Sequence, residues 1–194
     1  MATVRIPGCK LPRALENPLD DLLMVAVEPL LAALYGMGVT PNMVTLASAA
    51  AALASVYCCF AGRPLPAACL WVLGYVLDIV DGFLARRYKM ESRLGDRLDH
   101  ATDLLAYAGL VSFVAYRVFQ ANPRVLWPVA VEVWLACAAY YHMQCQERAS
   151  HHMAIQGLDG CACRDEAHLA WTRYLGTGTL TAWHVFLILF YRRA

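Results

Sequence analysis

The sequence predicts an all-α integral membrane bundle of about five to six transmembrane helices, preceded by an N-terminal amphipathic helix lying in the membrane interface. Three observations point there. Of the 194 residues, 60% are hydrophobic and only 16% are charged, proportions well outside those of a soluble domain. Apolar runs recur at about the twenty-residue length that crosses a bilayer as a helix. Residues 17–37 differ, because Asp20, Asp21, Glu28 and Pro29 interrupt their apolar positions, the pattern of a helix lying on a membrane.

Residues 1–13 lack the basic-then-apolar layout of a cleaved signal peptide and read as a polar tail. The first span is 43–61, nineteen residues without a charge, with Thr40 as N-cap and Pro41 at the first helical position. Residues 62–66 form a turn. The second span, 67–88, carries Asp78, Asp81, Arg86 and Arg87 in its last third, and the third, 95–119, carries Asp99 and Asp103 near its start. Asn122-Pro123 breaks the chain before a fourth span at 125–143, and a polar loop over 144–173 leads to a fifth at 174–191. No linker or internal repeat splits the chain, so the division expected is 1–39 for the tail and interfacial helix and 40–194 for the transmembrane domain. With the amino terminus in the cytoplasm, eleven Lys and Arg fall on the cytoplasmic side and five outside, which follows the positive-inside tendency.

Of eight cysteines, Cys58, Cys59, Cys69 and Cys137 lie in apolar segments and read as small buried hydrophobes, with no disulfide framework. Cys145, Cys161 and Cys163 with His151 and His152 fit no zinc spacing. The net charge of +1 points to no nucleic-acid partner.

The chemistry concentrates in four aspartates, Asp78, Asp81, Asp99 and Asp103. Residues 70–77 ahead of Asp78 carry no charge, and a bare carboxylate in such surroundings is costly unless something neutralises it. That run also argues against four solvated carboxylates at helix ends. The first pair is three apart and the second four apart, so each pair shares a helical face. Two such helices packed together bring four hard oxygen ligands to one point, a site for Mg²⁺ or Mn²⁺ and unsuited to softer metals. Acid residues on two adjacent spans also fit a cation transporter less well than an enzyme.

Reading through, the chain fits D-x2-D-G-x2-A-R-x8-G-x3-D-x3-D from Asp78 to Asp103 without departure, with Gly82, Ala85, Arg86 and Gly95 at the other fixed positions. This resembles the signature of the CDP-alcohol phosphotransferase family. A membrane prenyltransferase, whose Asp-rich helices also hold Mg²⁺, leaves those four positions unexplained, and a catalytically dead relative would be expected to have lost one of the eight.

The resemblance implies a metal-dependent enzyme that moves a substituted phosphate group from a CDP-linked donor to an alcohol hydroxyl and releases CMP. It implies that Asp78, Asp81 and Asp99 hold two divalent ions against the diphosphate. Asp103 is then the fourth ligand or the base that takes the acceptor's proton. Gly82, Ala85 and Gly95 let nucleotide or a neighbouring helix approach, Arg86 lies near the phosphates, and the family shows six spans where five are counted here. Length favours CDP-diacylglycerol as donor, whereas the string Thr40 to Thr45 and Asp99-His100 resemble the choline/ethanolamine branch. The chemistry wants the same arrangement, since a two-metal clamp neutralises a breaking diphosphate. The partners implied are donor, acceptor and lipid bilayer, with a homodimer left open.

Three smaller signals remain. Arg148, Arg164 and Arg173, with His151 and His152, form either a basic pocket for a phosphorylated acceptor or a loop drawn to anionic headgroups. Glu132 and His184, inside spans four and five, are either pocket residues or a buried pair that fixes packing. Gly176-Thr177-Gly178 reads as a close-packing stripe, because no Lys follows it.

Overall fold

The computed structural model describes residues 6–121, 127–150 and 166–191. All its regular elements are helical: α1 (Pro18–Gly36), α2 (Pro41–Phe60), α3 (Pro64–Arg87), α4 (Arg93–Ala121), α5 (Trp127–Ser150), α6 (Glu166–Thr172) and α7 (Thr177–Phe190), with a 3-10 turn at Arg173–Leu175 before α7.

Local chemistry sets the boundaries. Asn17 caps α1 by accepting the Leu19 amide at 2.9 Å, and Thr40 caps α2 by accepting the Met43 amide at 3.4 Å, each followed by proline at the first helical position. Helix α3 starts at Pro64, inside the expected turn, because the first-turn amides have no intrahelical partner and two prolines there cost nothing. Gly62, at φ +69°, closes α2 with its amide on the Cys59 carbonyl, and the Arg63 amide reaches the Cys58 carbonyl at 2.8 Å.

Helices α2 and α3 pack backbone against backbone. Ser48 Oγ donates to the Gly74 carbonyl at 2.8 Å and Ser55 Oγ to the Ala67 carbonyl at 2.7 Å. A Cβ on Gly74 would lie 3.3 Å from the Ala52 amide nitrogen, so only a small residue lets the two helices come this close. One apolar core, including Trp71, Leu110, Phe113 and Leu187, joins α2, α3, α4 and α7. A second joins Ile6, Cys9, Met24, Leu31, Ile79 and Phe83. The polar-tail reading of residues 1–13 therefore gives way over 6–13: Ile6, Cys9 and Leu11 are buried by tertiary contact.

Among the described residues three helices are long and apolar enough to cross a membrane: α2, α3 and α4 over Arg93–Gln120. Leu46, Leu53, Val72, Leu73, Leu104 and Leu105 stand exposed on them, an outer surface suited to hydrocarbon. Helix α5 has the length but is diluted by Glu132, His142 and Gln144. The expected fifth span contracts to α7, whose 14 residues reach only about 21 Å. Its start is set by docking. A Cβ on Gly178 would meet Asp20 Oδ1 and Asn17 Oδ1, and one on Gly176 would lie 2.9 Å from the His142 ring, so the close-packing reading of this stripe describes how α7 seats on α1. Cys58 and Cys59 are buried as expected, but Cys69 and Cys137 face outward. Cys145 is buried and disulfide-bonded, against the expectation of no disulfide. Cys161, Cys163, His151 and His152 lie outside the described residues.

Candidate active site

The last turns of α3 and the first turns of α4 bring the aspartates together. One carboxylate oxygen each from Asp78, Asp99 and Asp103 lie within 4.8 Å of one another. Asp81, 5% exposed, sits beside this trio with Oδ2 accepting a hydrogen bond from Thr45 Oγ1 at 2.6 Å. So three of the four carboxylates expected at one point are grouped, and the fourth, Asp81, is held to α2 by Thr45.

A divalent metal fits this set. The ligands are all oxygen, which suits a hard cation. Asp99 Oδ1 is buried without a hydrogen-bond partner, and an unpaired acceptor of this kind is costly unless a cation or donor meets it. His100 does not join, because its Nδ1 lies 2.8 Å from the Asp96 carbonyl oxygen on its own helix.

The small and basic motif residues divide. At Gly82 the nearest side-chain atoms a Cβ would meet are those of the Arg86 guanidinium, 3.0 Å away at Nη1, so this glycine keeps room for an arginine lying back along its own helix. At Gly95 a Cβ would lie 2.7 Å from Asn42 Oδ1 and 3.0 Å from Ser92 Oγ, so Gly95 admits the start of α2. Ala85 is half-buried. Arg86 Nε donates to the Gly8 carbonyl at 2.7 Å.

The acceptor arginines are less assembled. Arg173 donates from Nη1 to the Ala14 carbonyl and from Nη2 to Tyr174 Oη at 2.7 Å. Arg164 and the side chain of Arg148 lie outside the described residues. Glu132 and His184 do meet: His184 Nε2 donates to Glu132 Oε1 at 3.1 Å, with both side chains buried and Trp71 packed edge-on to the imidazole.

Two features escaped the sequence. Thr45 enters the sequence reading only as the end of the string Thr40 to Thr45, and the packing of α2 on α3 reveals it as the partner of Asp81. Tyr75 donates to Asp20 Oδ1 while Thr177 Oγ1 donates to Oδ2 at 3.1 Å, so a carboxylate on α1 ties α3 to the start of α7. The weak available signal was an aspartate inside an otherwise apolar helix face.

This geometry can hold a divalent cation and offer a carboxylate to accept a proton. Comparison with known proteins agrees with that chemistry. A CDP-diacylglycerol–inositol 3-phosphatidyltransferase of Candida albicans is 28% identical to the chain over 103 residues. That alignment covers 53% of this chain and 43% of the relative, so it spans less than half of the relative's length. No solved structure matches. The family model for CDP-alcohol phosphatidyltransferases matches residues 38–156, well over half of the sequence and the whole of the aspartate motif, and the chain belongs to that family.

Proposed function

We propose that the protein is a membrane phospholipid-synthesis enzyme that transfers a phosphatidyl group from CDP-diacylglycerol to an alcohol hydroxyl. The observation that carries this reading is the convergence of Asp78, Asp99 and Asp103 within 4.8 Å, together with the buried unpaired Oδ1 of Asp99. Asp78 and Asp99 would hold divalent metal together with Asp81, fixed by Thr45, and Asp103 beside them would be the fourth ligand or the base. Mg²⁺ or Mn²⁺, two ions in the two-metal form, neutralises the diphosphate when bound. Asp103, on the exposed side of the trio, takes the acceptor's proton as its oxygen attacks the lipid-linked phosphorus. The bond from that phosphorus to the bridging oxygen breaks, and CMP leaves with the electron pair. The Arg86 guanidinium, lying across Gly82, faces the diphosphate. Gly82 leaves room for that guanidinium and Gly95 for Asn42 at the start of α2, and the small Ala85 adds no bulk to the nucleotide side.

The same reading places the aspartates at the cytoplasmic end of a five- to six-span bundle, where a soluble acceptor arrives. Helix α1 lies in the interface: Met24, Val27 and Leu31 face the bundle, while Leu22, Val25 and Leu30 are exposed. Residues 1–39 form the peripheral part and 40–194 the transferase domain. Inositol is the first acceptor to test, since the relative's name carries it, and Arg148, Arg164 and Arg173 are the candidates for gripping a phosphorylated one.

The test is CMP release by the purified protein in lipid, with CDP-diacylglycerol or CDP-choline as donor against inositol, inositol phosphate, glycerol phosphate and diacylglycerol. Release from CDP-diacylglycerol with a soluble alcohol is expected. Release only from CDP-choline with diacylglycerol moves the protein to the other branch, and none with any pair refutes the reading.

A further inference from the structure

Residues 6–17 lie outside the matched family region, yet they strap down the end of α3 that carries the motif. Three of their carbonyls accept arginine hydrogen bonds: Gly8 from Arg86 Nε at 2.7 Å, Pro7 from Arg87 Nη1 at 2.9 Å, and Ala14 from Arg173 Nη1. Glu16, 3% exposed, closes the strap on itself by accepting the Leu11 amide at 3.0 Å, and joins it to α5 through Gln146 Nε2 at 3.3 Å. Ile6 and Cys9 fill the core around Phe83, while Leu11 packs with Cys145 and Leu169.

The contact at Gly8 is specific. Its φ of +101° is open to glycine and strained for other residues. A Cβ there would also lie 2.9 Å from the ring of Phe83, a side chain with 0% exposure and no room to retreat. The result is a carbonyl presented to Arg86 Nε. With Nε held, the guanidinium lies across Gly82, one turn back toward Asp78 and Asp81. A long arginine side chain otherwise loses rotamer freedom when it grips a phosphate, and holding it in advance removes that cost.

We propose that this strap is a working part of the donor site: the Gly8 carbonyl positions Arg86 for the donor's diphosphate, and donor affinity depends on the strap being seated. The proposal rests on the function given above. Gly8 and its neighbours are positioning residues and touch no substrate themselves.

The test is a double-mutant cycle with CDP-diacylglycerol as probe, using the full chain in lipid with Mg²⁺. Gly8→Leu, Arg86→Ala and the double variant are compared for donor Kd, inositol KM and the rate of maleimide labelling at Cys9, read by mass spectrometry. Cys9 is 4% exposed and reports strap seating. Gly8→Leu is expected to speed labelling at least tenfold and raise the donor Kd about tenfold, with inositol KM within twofold of wild type. The double variant is expected to bind donor no more weakly than Arg86→Ala alone. Fast labelling with unchanged donor Kd overturns the proposal, as does a double variant whose losses multiply. If Gly8→Leu fails to fold, wild-type hydrogen exchange decides: CMP with Mg²⁺ is expected to slow exchange over residues 6–11, and unchanged exchange overturns the proposal. A wild-type protein that releases no CMP from any donor refutes the functional reading instead, whereas an active one with an indifferent strap refutes only the strap.

Discussion

Replacing Thr45 with valine exchanges one hydroxyl for a methyl group and leaves the shape of α2 nearly unchanged. The lost group is the donor that holds Asp81 Oδ2 at 2.6 Å. Thr45 is 3% and Asp81 5% exposed, so bulk water does not replace it. A hydrogen bond to a charged acceptor contributes about 2 kcal/mol, which corresponds to roughly thirtyfold in an equilibrium or rate constant. Losing a partner that orients a metal ligand weakens metal binding within a range of about 10- to 100-fold. Thr45→Val is therefore expected to raise the Mn²⁺ concentration for half-maximal CMP release by about thirtyfold, with little change in melting temperature. Titrating Mn²⁺ against activity for the two proteins measures this. A half-maximal concentration within twofold of wild type would show that Asp81 is held by the helix alone and that Thr45 plays no part in the site.

Three further outcomes follow from the same geometry. Gly82→Leu is expected to raise the donor KM at least tenfold, because its side chain takes the space where the Arg86 guanidinium lies; an unchanged KM would deny that Arg86 serves the donor from this position. Asp103→Asn is expected to lower kcat by at least a hundredfold while retaining most CDP-donor binding; loss of binding as complete as in Asp78→Asn would assign it to metal ligation alone. Glu16 predicts a pH dependence of the strap: burial pushes its carboxyl from 4.5 up to about 7, Asp20 adding to the rise while the Leu11 amide, Arg86 and Lys10 oppose it. The folded state then keeps a proton that the unfolded chain releases. Strap stability is greatest below pH 4.5 and is lost as pH rises through 7, by at most about 3 kcal/mol. Hydrogen exchange over residues 6–17, corrected for intrinsic rates, should show more opening at pH 8.5 than at pH 5.5, and Glu16→Gln should flatten the difference; an equal pH dependence in both proteins would remove Glu16 from the explanation.

What the sequence revealed and what it hid divide by the range of the interactions. Asp78 with Asp81 and Asp99 with Asp103 were legible because a helix period alone puts each pair on one face, and Thr40-Pro41 because capping is local. Residues 6–13 were misread because their burial follows no period: Pro7 and Gly8 separate Ile6 from Cys9, Lys10 separates Cys9 from Leu11, and all three go inside only because Phe83, Met24 and Leu169 meet them there. The shortness of α7 was hidden for a similar reason. Its apolar run extends to Tyr191, but its start is fixed by Asn17 and Asp20, some 160 positions away in the chain. Gly95 stood out as a motif position, yet the atom that requires its smallness, Asn42 Oδ1, belongs to another helix. Glu132 and His184 were each conspicuous as polar groups in apolar runs, but whether they line a pocket or pair with each other needed the structure, which sets His184 Nε2 3.1 Å from Glu132 Oε1.

The most direct measurement is Mn²⁺ binding by electron paramagnetic resonance on the purified protein in lipid, taken in parallel with CMP release from CDP-diacylglycerol, for wild type, Asp78→Asn and Asp99→Asn. Wild type is expected to bind Mn²⁺ and release CMP, with both signals abolished by chelator. Each variant is expected to lose metal binding and turnover together while staying folded, because Asp78 and Asp99 supply oxygens from two helices to one point. CMP release that persists in excess chelator, or wild-type Mn²⁺ binding in both variants, would contradict a carboxylate-held metal as the centre of this site.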